Sequence, residues 1–96
     1  MKVQIDRELE DLIPDYLENR RLELIDLQTH INNQDLAKLK TIGHRLAGNA
    51  GGYGLHALGA IGAKIEKAAI AGDLSEMTIF RGEIEEFLKN IEISFV

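Results

Sequence analysis

The chain has 96 residues, of which 45% are hydrophobic and 28% charged. That length predicts one domain spanning residues 1–96 with a real core. With no cysteine there is no disulfide framework and no thiolate metal site. A net charge of −5 argues against a nucleic-acid binder. No apolar run reaches the ~20 residues of a membrane span, and Asp6, Arg7, Glu8 and Glu10 interrupt any signal-peptide pattern. The expectation is a cytoplasmic protein that binds neither nucleic acid nor membrane.

In chain order, Arg7–Ile13 reads as a short extra N-terminal helix, and Pro14 either starts a new helix or kinks a longer one. Leu17, Leu24, Leu27 and Ile31 then share one helical stripe. "HINNQD" interrupts it, and Asn32 or Asn33 is suited to cap the next helix. Leu36, Leu39, Gly43, Leu46 and Ala50 recur at three and four, as do Leu58, Ile61, Ile65 and Ala68. Between them "GGYG" offers Gly54 for a left-handed stop. "AGDLSE" ends the third stripe at Gly72 and gives Asp73 and Glu76 capping-box spacing. Met77, Phe80, Ile84, Phe87 and Ile91 form the last stripe. Four main helices result, near Pro14–Ile31, Asn33–Gly51, Leu55–Ala71 and Leu74–Ile93. Their short connections predict an all-α, antiparallel up-and-down four-helix bundle.

One neighbourhood differs in charge. From Asn33 to Ile65 the only acidic residue is Asp35, whereas Lys38, Lys40, Arg45 and Lys64 are basic. Uneven surface charge is common, and it also suits an acidic partner surface. His44 lies within this stretch, about 100° round the helix from Gly43 and so at the border of core and solvent. Its neighbours one turn away are Lys40, Thr41, Ala47 and Gly48, with Gly51 two turns on. A flank of small residues leaves the ring within reach of another macromolecule, since a bulky side chain at Gly48 would lean over it. The same glycines are equally compatible with a plain loop, and Gly59 and Gly62 with close helix packing.

Three chemistries compete for the histidine. His30, His44 and His56 show no metal-ligand spacing, so no bound metal is expected. Thr41 is near His44, but no third member of a nucleophilic triad is evident. Phosphoryl acceptance asks less, because imidazole is nucleophilic near neutrality and transfer depends on positioning and charge neutralisation.

The run "HRLAGNAGGYGLHAL" resembles the histidine-containing phosphotransfer (HPt) domain, with His44, Leu46, Gly48, Gly54, Leu55 and Leu58 on the family's pattern positions. Arg45 fits the position that is often basic. The resemblance implies a phosphorelay carrier without autonomous kinase or ATPase activity, with His44 the phosphorylated nucleophile. The implied partners are a response-regulator receiver domain, a hybrid sensor histidine kinase, or both. No cofactor is expected on this chain, with Mg²⁺ on the receiver. Glu66 matches the family residue that orients the active histidine. Lys40 and Arg45 supply a cationic rim, and Gly48 keeps the approach open. Leu12, Ile13, Tyr16, Ala47 and Gly51 are candidates for receiver docking, although the first three suit a core equally. One departure stands out: Ala47 takes the place of a lysine that contacts the phosphoryl group in the family. It leaves open an alternative, an HPt-like interaction module that binds without phosphotransfer.

Overall fold

A computed structural model describes residues 1–96. It shows the four-helix bundle: α1 (Ile13–Asn32), α2 (Leu36–Gly52), α3 (His56–Ile70) and α4 (Met77–Asn90). A 3₁₀ turn over Arg7–Leu12 leads into α1, and Pro14 sits in its first turn, where its missing N–H costs nothing. No helix is long and apolar enough to cross a membrane.

Two short strands accompany the bundle. β1 (Lys2–Ile5) pairs in parallel with β2 (Glu92–Phe95), Lys2 opposite Glu92 and Ile5 opposite Phe95. The last helix is therefore shorter than the apolar stripe implies. It ends at Asn90, because Ile91 turns extended at φ −70°, ψ 133°. From there Ile91, Ile93 and Phe95 alternate with exposed neighbours and pack on the core.

The helix stripes converge on one cluster of 20 buried residues, from Ile5 to Leu88. Leu39, Leu55, Leu58 and Ile65, from α2, α3 and the turn between them, are fully buried. Here glycine sets the spacing. A Cβ at Gly62 would stand 2.7 Å from the Ala47 backbone nitrogen, and one at Gly43 would stand 2.6 Å from that of Glu66. Bare backbone at both positions lets α2 and α3 approach to direct contact, which brings Glu66 beside His44.

The helix ends differ in detail from the sequence expectation. Asp35, rather than Asn32 or Asn33, caps α2 by accepting from the Lys38 N–H at 3.1 Å. Asp73 accepts from the Ser75 backbone N–H and hydroxyl instead of closing a capping box, and α4 starts only at Met77. Those two bonds hold the Asp73 carboxyl below the usual carboxylate range. Gly51 and Gly52 are the last turn of α2, and Gly54, at φ +79°, makes the reversal.

Candidate functional site

α2 presents His44 to solvent, with 75% of its side chain exposed, while α3 places Glu66 beneath it at 25%. His44 Nδ1 lies 2.7 Å from Glu66 Oε2. With the carboxylate accepting, Nδ1 carries the ring proton and Nε2 keeps its lone pair. The carboxylate in that arrangement sets both the tautomer and the ring plane, and the unprotonated nitrogen is at the far tip of the ring.

Ala37, Lys40, Thr41, His44, Arg45 and Glu66 line one open concavity. The cationic rim and the carboxylate expected around His44 are therefore together. The sequence does not single out Ala37, yet it lies seven residues before His44, two turns along the same strip. On the other side of the imidazole the surface is bare: a Cβ at Gly48 or Gly51 would meet nothing within 4 Å. Gly48 is exposed, and Ala47 and Gly51 are half-buried.

The N-terminal docking candidates divide. Leu12 is 51% exposed, on the surface next to α1. Ile13 and Tyr16 are core residues at 3% and 7%, so neither offers a docking surface. Tyr16 is held by a small network that the sequence does not signal. Its ring is 4.3 Å from that of Tyr53, the Arg20 guanidinium stacks 4.5 Å above it, and its hydroxyl donates to Asn49 Oδ1. Burial pushes its phenol above the ordinary range, with Arg20 acting in the opposite direction. The network ties α1 to the C-terminal turns of α2, close to the bare glycine surface.

A family model described as Hpt domain matches residues 4–94, so the chain belongs to the Hpt-domain family. Membership supports a histidine phosphotransfer role in phosphorelays, and the family's partners are receiver domains and kinases. Comparison with curated proteins and with solved structures returned no match.

Proposed function

We propose that this chain is a histidine phosphocarrier that takes a phosphoryl group onto His44 Nε2 from the phosphoaspartate of a receiver domain and passes it to another. The observation that carries this reading is the exposed imidazole whose Nδ1 is bonded to Glu66 at 2.7 Å. In the transfer the Nε2 lone pair attacks phosphorus. The N–P bond forms as the P–O bond to the aspartyl carboxylate breaks, and that bond's electron pair leaves with the carboxylate. The ring becomes cationic with Nδ1–H still facing Glu66, whose negative charge offsets it. The reverse sequence discharges the carrier. The receiver contributes Mg²⁺ and an acidic pocket. Lys40 and Arg45 attract that pocket, while Gly48, Gly51 and Leu12 form the contact surface.

Ala47 favours a second reading, because a methyl group gives the phosphoryl oxygens no donor: a module that binds receivers without accepting phosphate. Incubation with phosphorylated receivers or the cognate kinase separates the two. An acid-labile, base-stable label on wild type but not on H44Q supports the carrier. Receiver binding without label, for every cognate receiver tested, supports the module.

A further inference from the structure

The chain's cations are unevenly committed. Arg7, Arg20, Arg21, Lys38, Lys64 and Arg81 each lie within 4 Å of a carboxylate. Lys2, Lys40, Arg45, Lys67 and Lys89 make no such pair. Two of these free cations, Lys40 and Arg45, line the His44 concavity, and the only carboxylate there is Glu66. Its Oε2 is taken by the ring.

The two cations are not equivalent in position. Four residues advance a helix by about one turn and leave Lys40 only ~40° from the His44 meridian, whereas Arg45 is ~100° away. Helical side chains lean toward the N-terminus, so the imidazole overlies the turn that carries Lys40 and Thr41. The sides differ as well. Gly43 and Ala47 lie on the α2 side that meets α3, against Glu66 and Gly62. Lys40 lies between the His44 meridian and that seam, on the flank of Ala47 but one turn to the other side of the ring. Arg45 faces away from it.

A phosphoryl group arriving on Nε2 adds nearly two negative charges beside the Glu66 carboxylate. An unpaired ammonium on the same flank, on a stem of four carbons, is placed to answer that charge. We propose that Lys40, rather than Arg45, is the cation that contacts the phosphoryl group on His44. This rests on the carrier reading. Arg45, on the far side, is left to meet the docking partner. Of the charged groups lining the concavity, Lys40 from α2 then faces the phosphoryl, Glu66 from α3 stays on the ring, and Arg45 lies on the opposite side.

The test needs no partner protein. In an H30Q/H56Q background His44 is the only histidine, and phosphoramidate serves as a small phosphodonor. The phosphorus NMR signal is followed against pH in the folded full chain, with H44Q confirming its origin. A nearby ammonium holds the second phosphoryl ionisation low. K40Q is expected to raise that midpoint by about half a unit, a roughly 3-fold change of the size seen for partly exposed ion pairs. K67Q, which removes a free cation outside the concavity, is expected to leave it in place. A midpoint unmoved by K40Q, or moved as far by R45Q, overturns the assignment while the carrier reading stands. Failure of wild type to give a His44 signal removes the carrier reading and this assignment with it.

Discussion

At the scale of single residues, the environment of His44 depends on two opposite choices. On the α3 side Glu66 holds the ring, and on the other side nothing covers it. Gly48 has open space where a side chain would be, and it sits one turn beyond His44 on the same exposed strip. A glutamine there would lean back over the imidazole. It would also favour the helix, since glycine costs about 1 kcal/mol in a helix interior. G48Q is therefore expected to melt at the same temperature as wild type or slightly higher. Transfer from a phosphorylated receiver is expected to fall about 10-fold or more, because a donor protein must approach closely and in line. Capture from phosphoramidate, which is small, is expected to change far less. Equal transfer from receivers in G48Q and wild type would mean that the bare flank is not an approach path. The exposure of His44 and the smallness of its flank were legible from spacing alone. The burial of Ile13 and Tyr16 was not: the partners of Tyr16, Tyr53 and Asn49, come from α2 and its turn, at a separation no local pattern encodes.

At the scale of elements, the α2–α3 contact brings the site together. Gly43 and Gly62 let the two backbones meet, and a Cβ on Gly62 would press on the Ala47 nitrogen at 2.7 Å and the Gly43 oxygen at 2.9 Å. Both are main-chain atoms, so relief requires the helices to part. G62A gains about 1 kcal/mol of helix propensity and loses more than that to overpacking, which costs roughly 1–3 kcal/mol and occasionally more. G82A makes the same chemical change in the interior of α4, where a Cβ meets nothing within 4 Å, and it keeps only the gain. Thermal melts are expected to move in opposite directions, down for G62A and up for G82A, by several degrees each in a domain of this size. A rise in both would show that α3 can shift without penalty. The helices themselves were readable because each carries a stripe with a period of three to four residues. Their caps were less so. Asp35 lies three residues before Lys38 and has capping geometry, but the two asparagines just upstream offer the same chemistry. The strands were hidden for a different reason. Each is four residues long, and its partner lies about ninety positions away, so only the alternation of Ile91, Ile93 and Phe95 hinted at a change of period.

At the scale of the whole molecule, the strand pair closes the chain on itself. Glu92 N–H donates to Met1 C=O at 2.8 Å, Val96 N–H to Ile5 C=O at 2.9 Å, and Arg7 N–H to Val96 C=O at 2.9 Å. A two-stranded pair this short is not stable alone. It persists because its apolar face rests on the bundle. Ile5 is 1% exposed, Val3, Ile93 and Phe95 pack against the core, and the Gly54 turn passes directly over Gln4 and Ile5. Removal of the Ile5 side chain should therefore act on both ends of the chain at once. I5A is expected to lose about 2–5 kcal/mol of stability, the range for a fully buried isoleucine truncated to alanine. Amide exchange is expected to accelerate along Glu92–Val96, far in sequence from the substitution, and in the turn after α2. The His44–Glu66 pair lies elsewhere. Its contacts run through the α2–α3 seam, and Gly52 is eight residues or about 12 Å along α2 from His44. Below its lowered melting temperature I5A is thus expected to take phosphate from phosphoramidate as wild type does. If His44 reactivity is lost in folded I5A, the terminal strands and the histidine site form one unit. If exchange at Glu92–Val96 stays slow, the strands are held by something other than the core beneath Ile5.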